Sequence, residues 1–270
     1  MAVKAVCPAY ITGIFTIGNG DAAGAGFAID RMLSTTVSEK KSGSTSITIN
    51  GAMAPTPVSK AVLRRFTEAG AKPKPLEIRH ETEIPIGYGL GMSAAGALSL
   101  SLALNELLGC GFSREKCVKI AHDSDVECGT GLSGVDAANV GGILFRKSLE
   151  DRPVAIKFEE HELDLAFFSP IRTSSITRSE DWRAKVNEAG TAALGELSKK
   201  KSWGAFVEAS RHFTMQSGLG NWCGAEMEAN PRASMAMLGQ TLFSDKPLSL
   251  SRYPLKTLKA SICREGAGLA

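Results

Sequence analysis

The sequence lacks any apolar run long enough to cross a membrane. Its most apolar stretch, residues 94–108, is interrupted by Ser99, Ser101, Asn105 and Glu106, whereas a span needs about 20 mostly apolar residues. It also lacks an excess of either charge. Lys and Arg number 31 against 28 Asp and Glu, a net +3, which is too small to argue for a nucleic-acid partner. Basic residues are scattered, apart from Lys199-Lys200-Lys201, which reads as a solvated helix end. The six cysteines (Cys7, Cys110, Cys117, Cys128, Cys223 and Cys263) form no C-x-x-C, and no histidine stands at zinc spacing from them. That is the pattern of reduced thiols in a cytoplasmic protein; Cys110 and Cys117 would pair only in an oxidising compartment. The first residues lack the apolar centre of a signal peptide and read as a short strand. Internal repeats and low-complexity tracts are absent.

What remains is an ordinary globular chain. Its 270 residues, 43% hydrophobic and 22% charged, suffice for one large domain or two moderate ones. The patterns predict strands at 3–6, 47–49, 76–84, 143–145, 154–158 and 163–168. Residues 13–26, rich in glycine, read as a loop. Thr56 and Pro57 open a helix that Gly70 closes. Residues 93–108 form a helix that is apolar almost all round and therefore central. Ser113 caps the next helix, which runs to Cys128. Further helices are expected at 180–197, 203–216 and 231–238. The order is mixed α+β, without repeated βαβ units. The charged turn Glu150-Asp151-Arg152-Pro153 divides the chain into 1–150 and 151–270.

The most informative segment is Pro85-Ile86-Gly87-Tyr88-Gly89-Leu90-Gly91-Met92-Ser93-Ala94-Ala95. Alternating glycines let backbone approach a phosphate and adopt positive φ. The helix that follows offers free N–H groups and the positive end of its dipole. Ser93 can give its hydroxyl to a phosphate or its Mg²⁺. No lysine follows, so this is not a P-loop, and the G-x-G-x-G spacing is not that of a dinucleotide fingerprint. Phosphorylating an alcohol further needs hard oxygen ligands for a cation and a group facing the hydroxyl. The helix ending at Cys128 carries Asp123, Asp125 and Glu127 where carboxylates are unfavourable; a bound Mg²⁺ would offset that cost. Asp136 opens the helix after a second glycine-rich connection, where it can cap that helix or face a substrate.

The run from Pro85 to Ala95 resembles the central motif of the GHMP kinases, with Met92 where many members have a first serine. The resemblance implies a two-domain fold, with an N-terminal ribosomal-protein-like α/β domain and a C-terminal ferredoxin-like α/β domain. It implies ATP held by Pro85, Gly87, Gly89, Leu90, Gly91, Met92, Ser93 and Ala94, and Mg²⁺ held by Ser93 with Asp125 or Glu127. Ser133-Gly134-Val135-Asp136 is similar to the Ser-Gly-Ile-Asp run of mevalonate kinases, which makes Asp136, with Ser93, the catalytic pair. Pro8-Ala9-Tyr10-Ile11-Thr12-Gly13-Ile14-Phe15, Ala23-Gly24-Ala25-Gly26, Glu127-Cys128-Gly129-Thr130-Gly131-Leu132 and Ser234-Met235-Ala236-Met237-Leu238-Gly239 resemble the archaeal pantoate kinases. In that family Gly-Asp usually follows Thr-Gly-Leu; here Ser133-Gly134 holds those places, and Tyr10 stands where histidine is common.

This second resemblance implies ATP-dependent phosphorylation of pantoate to 4-phosphopantoate in coenzyme A synthesis. Tyr10, Thr12 and Gly13 would line the substrate pocket. Arg172 and Arg211 are candidates for the substrate's carboxylate. A homodimer is left open. Rival readings are another GHMP kinase, such as homoserine kinase, and a catalytically silent nucleotide-binding regulator of the same fold.

Overall fold

The structure, a computed structural model, describes residues 2–156 and 161–270. The chain starts with two long antiparallel strands, β1 (Ala2–Phe15) and β2 (Gly24–Glu39). Next come β3 (Ser46–Ile49), β4 (Ala52–Met53), α1 (Pro57–Glu68), β5 (Leu76–Thr82), α2 (Met92–Leu107), α3 (Arg114–Glu127), α4 (Gly134–Val140), β6 (Ile143–Arg146) and β7 (Val154–Ile156). The second part holds β8 (Glu162–Pro170), α5 (Thr173–Thr177), α6 (Glu180–Lys199), α7 (Trp203–Gln216), α8 (Gly224–Ala229), β9 (Ala233–Met235), β10 (Gly239–Ser244), β11 (Lys256–Ser261) and β12 (Gly268–Leu269). An eight-stranded sheet runs β12-β1-β2-β5-β3-β4, with β6 on β2 and β7 on β6; a four-stranded sheet runs β11-β8-β10-β9. This is the mixed α+β architecture expected. β7 and β12, from beyond residue 150, both join the larger sheet.

Residues 13–26 are not the expected loop. β1 continues through Pro8 to Phe15, and β2 starts at Gly24, leaving only 16–23 between them. Pro8 sits at a register shift of the β1–β2 ladder, between Pro8 and Ala9, and proline is tolerated at such irregularities. Gly24 serves close approach rather than a turn: a Cβ there would lie 2.5 Å from the Ile14 carbonyl. Residues 231–238 are not a helix either. They form β9 and the turn to β10, with Ala233, Ser234, Met235 and Ala236 fully buried. A short apolar run buried on all sides reads alike as helix or inner strand, and pairing with β10 decides it. The strand expected at 154–158 is present as β7 as far as Ile156; residues 157 and 158 lie outside the described residues. Thr56 precedes α1 without making a side-chain cap, while Ser113 does cap α3.

α2 is buried almost all round, with Glu106 exposed, and packs on β1, β2, α1 and α3. Burying each of Leu98, Leu100 and Leu104 contributes about 1.5–3 kcal/mol. Phe27 of β2 meets Trp203, Phe206 and Phe243 edge-on at ring distances of 5.2, 5.7 and 5.3 Å. These contacts join the larger sheet to α7 and β10.

One buried polar network ties α1 and α2 to the sheet. His80 Nδ1 lies 2.8 Å from Thr35 Oγ1, and its Nε2 lies 3.0 Å from Ser59 Oγ. Thr35 Oγ1 in turn lies 2.6 Å from Ser99 Oγ. Burial pushes the His80 pKa down to about 4 from 6.5, because the charged ring would lose its water. The unfolded chain therefore binds a proton at His80 at a higher pH than the folded one. This contribution is fully present above pH 6.5 and is lost as pH falls toward 4. We expect the urea-unfolding free energy to drop by up to about 3 kcal/mol across that window from this group. His80→Asn should flatten the slope. An equal slope in wild type and variant would show that His80 is not the group that titrates.

Candidate active site

The glycine-rich loop between β5 and α2 is clamped from three sides. Gly87, Gly89 and Gly91 all have positive φ, +89°, +86° and +67°, which a side chain strongly disfavours. The Tyr10 N–H of β1 donates to the Leu90 carbonyl at 3.1 Å, and the Ile171 N–H donates to the Gly87 carbonyl at 3.1 Å. Thr241 Oγ1 of β10 donates to the Tyr88 carbonyl at 2.7 Å. A Cβ on Gly89 would sit 2.5 Å from the Ala236 carbonyl oxygen and 2.7 Å from the Gly239 nitrogen. The close approach at Gly89 is thus made by the 236–239 turn. That turn is itself held to β1 by the Met237 N–H donating to the Thr12 carbonyl at 2.9 Å.

The loop delivers the start of α2 without a cap. Gly91 is its N-cap in the left-handed conformation; no side chain caps it, and its first turn holds no acidic residue. By contrast, α3, α6 and α7 each carry a serine cap, at Ser113, Ser179 and Ser202. The first N–H groups of a helix need acceptors. Here they open into a cleft of about 510 Å³, where an anion would be stabilised by the N–H groups and the helix dipole. Gly87, Gly89, Leu90, Gly91, Met92, Ser93 and Ala94 all border this cleft, and Pro85 does not. Leu90 is nearly fully buried and anchors the loop.

The acidic end of α3 divides by direction. Residues two apart on a helix point about 200° from each other. Asp125 turns inward to the cleft, with 1% of its surface exposed. Glu127 turns outward, where Arg64 reaches it at 2.6 Å and Arg65 at 2.8 Å. Those arginines hold its carboxyl below the ordinary range. Glu127, the alternative metal ligand expected from the sequence, is thus an outward side chain already neutralised by two arginines. Asp123 is also paired outside, with Lys119 at 3.1 Å.

For Asp125, burial raises the carboxyl pKa, opposed by the hydroxyls of Thr130 and Ser93 and the charge of His122. Only Thr130 makes a well-formed hydrogen bond, 2.5 Å to Oδ1; Oδ2 is buried without a partner. Such an oxygen lacks a cation or a donor. Among the described residues no three His, Cys, Asp or Glu side chains gather as a metal site. A cation here would be held by the hard oxygen atoms of Asp125 and Ser93.

Asp136 is not brought to the cleft. Gly134, at the start of α4, borders the cleft with its missing side chain directed toward Ala94. Asp136, two residues later, points to another surface, beside Arg114, Lys119 and His122. Its Oδ2 accepts from His122 Nδ1 at 2.9 Å, and His122 Nε2 lies 3.2 Å from the Gly20 carbonyl. The Asp136 bond is the chief cause of a raised His122 pKa. The same helical geometry that separates Asp125 from Glu127 puts Asp136 out of reach of a hydroxyl in the cleft.

Of the substrate candidates, Tyr10, Thr12 and Arg172 border the cleft. Gly13 does not; its Cβ direction meets Ser210 and Phe206 of α7. Arg211 does not border the cleft; it donates to the carbonyls of Met227, Asn230 and Ala233, around the end of α8. Sequence reasoning missed Thr130 as the partner of Asp125 and Arg178 at the rim. Thr130 lay inside the second glycine-rich connection, a usable signal; Arg178 belonged to no motif.

Residues 57–142 match the family model of the GHMP kinases N terminal domain. Over 251 residues the chain is 33% identical to the pantoate kinase of Methanocaldococcus jannaschii, covering 87% of this chain and 90% of that protein. The chain belongs to the pantoate kinase family. Solved structures agree on its fold. One described as a phosphotransferase related to the CoA biosynthesis pathway superposes over 100% of this chain and 99% of its own, with a TM-score of 0.83 at 20% identity. A homoserine kinase from Cytophaga hutchinsonii covers 100% and 97% with a TM-score of 0.65 at 15% identity. Within the pantoate kinase family frame, the uncapped α2 start and the inward Asp125 border the same cleft.

Two outcomes follow from this geometry. Gly89→Ala should destabilise the fold, by about 1–3 kcal/mol for the strained φ alone and more for the clash with the 236–239 turn. Thermal unfolding checks this; an unchanged midpoint with weakened ATP binding would mean that the glycine is reserved for a phosphate instead. Asp136→Asn should lower the His122 pKa, because it removes the carboxylate that stabilises the imidazolium. An NMR titration in which His122 is unmoved would contradict the pairing.

Proposed function

We propose that this chain transfers the γ-phosphoryl group of ATP to the primary hydroxyl of pantoate, giving 4-phosphopantoate on the way to coenzyme A. The observation that carries this reading is one cleft bordered both by the uncapped N-terminus of α2 and by Asp125, whose buried Oδ2 has no partner. It is supported by the identity to a pantoate kinase over most of the chain. The N–H groups at 91–94 receive the phosphates, and the Ser93 hydroxyl and Asp125 carboxylate hold Mg²⁺. That ion, when bound, neutralises charge on the phosphate oxygens. Tyr10 and Thr12 shape the acceptor side. We further propose that the chain divides near residue 150, with β7 and β12 returning to the first half.

Among the described residues bordering the cleft, Asp125 is the sole carboxylate. If it holds the cation, no carboxylate remains as general base. Phosphoryl transfer tolerates this, because its loose transition state depends on positioning and charge stabilisation more than on proton abstraction. Asp136 then serves α4 and His122 rather than the acceptor.

Coupled ADP-release assays with pantoate, homoserine and mevalonate test the reading. Pantoate should be the preferred acceptor. Asp125→Asn should lower kcat by about 10²-fold or more, the scale of losing several kcal/mol of charge stabilisation, and raise the Mg²⁺ requirement. Turnover of homoserine but not pantoate, or an Asp125→Asn enzyme at full rate in low Mg²⁺, would refute it.

A further inference from the structure

An acid acceptor brings a carboxylate into the cleft, and that carboxylate needs a cation. The charged side chains that border the cleft among the described residues are Asp125, Arg172 and Arg178. The two arginines stand at opposite ends of α5, whose five residues span roughly 8 Å at about 1.5 Å per residue. Arg172 follows Ile171, which is bonded to Gly87, at the entrance of the glycine-rich loop. Arg178 stands at the other end, over the connection that follows α3. Its guanidinium lies against Gly129, where a Cβ would be 2.7 Å from Nη2 and 2.8 Å from Cζ. The next residue, Thr130, holds Asp125.

Arg178 is fixed but not neutralised. Nη2 donates to the Glu127 carbonyl at 3.2 Å, while the Glu127 carboxylate is taken by Arg64 and Arg65. A guanidinium has five N–H donors. The bond to a carbonyl orients this one and leaves its charge and further donors for an incoming anion. Positive φ at Gly129, +66°, and the absence of a side chain there are what let the guanidinium lie so close.

Reach distinguishes the two arginines. The acceptor hydroxyl must meet the transferred phosphoryl group at the Ser93–Asp125 end. In a four-carbon hydroxy acid the carboxylate lies roughly 5 Å from the terminal hydroxyl, given C–C bonds of about 1.5 Å. Arg178 lies against Gly129, beside the Thr130 that holds Asp125, whereas Arg172 stands at the other end of α5, next to the Ile171 bonded to Gly87. We infer that Arg178, rather than Arg172, receives the acceptor's carboxylate and sets the preference for a carboxylate-bearing alcohol. The inference rests on the kinase reading above. A planar fork suits a carboxylate in two-point contact, which a lysine ammonium does not reproduce.

The test is steady-state kinetics of wild type, Arg178→Gln, Arg178→Lys and Arg172→Gln with two acceptors. One is pantoate; the other is its amide, which keeps both hydroxyls and loses the charge. Arg178→Gln should raise the KM for pantoate about 10- to 100-fold, the worth of a charge-assisted hydrogen bond. It should leave the KM for ATP and the KM for the amide unchanged, and Arg178→Lys should restore only part of the loss. An unchanged pantoate KM, an equal loss with the amide, or a pantoate effect confined to Arg172→Gln would each overturn the inference. Wild-type enzyme that fails to phosphorylate pantoate refutes the kinase reading and this inference together. Pantoate turnover that is indifferent to Arg178→Gln refutes the inference alone.

Discussion

The start of α2 is the constraint on which the rest of this structure depends. A long helix is begun by a left-handed glycine, with no capping side chain and no acidic residue to satisfy its first N–H groups. Left in water, such an end would fray. It is held by what surrounds it. The body of the helix is buried among β1, β2, α1 and α3, and the loop before it is gripped by β1, β10 and the segment after β8. The stability that a cap would add locally comes instead from apolar burial along the helix and from Phe27 and its aromatic neighbours between the two sheets. The N–H groups stay available for an anionic ligand.

The second feature is the opposition of charge across the cleft. A positive helix end and one buried carboxylate whose second oxygen has no partner share one cleft. Neither is at ease without a ligand: one lacks acceptors, the other a cation. A metal–nucleotide complex carries both an anion and a cation, so it satisfies the two together. Asp123 and Glu127, the other acids at the end of α3, are neutralised outside by Arg64, Arg65 and Lys119. This leaves the field in the cleft to Asp125 and the two rim arginines.

The sequence made the loop and its helix legible because both speak through local rules: alternating glycines, then a run of small and apolar residues. The ends of α7 agree with the expected 203–216, and the Ser113 cap is where its pattern put it. What was not legible depended on partners far away in the chain. Gly24 reads as loop until the Ile14 carbonyl is seen beside it, and 231–238 reads as helix until β10 pairs with it. Two of the site residues that lie outside the cleft, Glu127 and Asp136, rest on an acidic helix end and on a Ser-Gly-x-Asp resemblance, neither of which fixes side-chain direction. A shift of two residues on a helix reverses direction, and only the packing of α3 and α4 fixes which of each neighbouring pair looks inward. Arg178 was invisible for a related reason: its place is set by a short helix that no motif announces.

A crystal structure with a non-hydrolysable ATP analogue, Mg²⁺ and pantoate tests the central claim most directly. The account predicts phosphates on the N–H groups at the start of α2, the metal between Ser93 and Asp125, and Asp136 still bonded to His122. A metal held by Glu127, or Asp136 in contact with the acceptor hydroxyl, would contradict it.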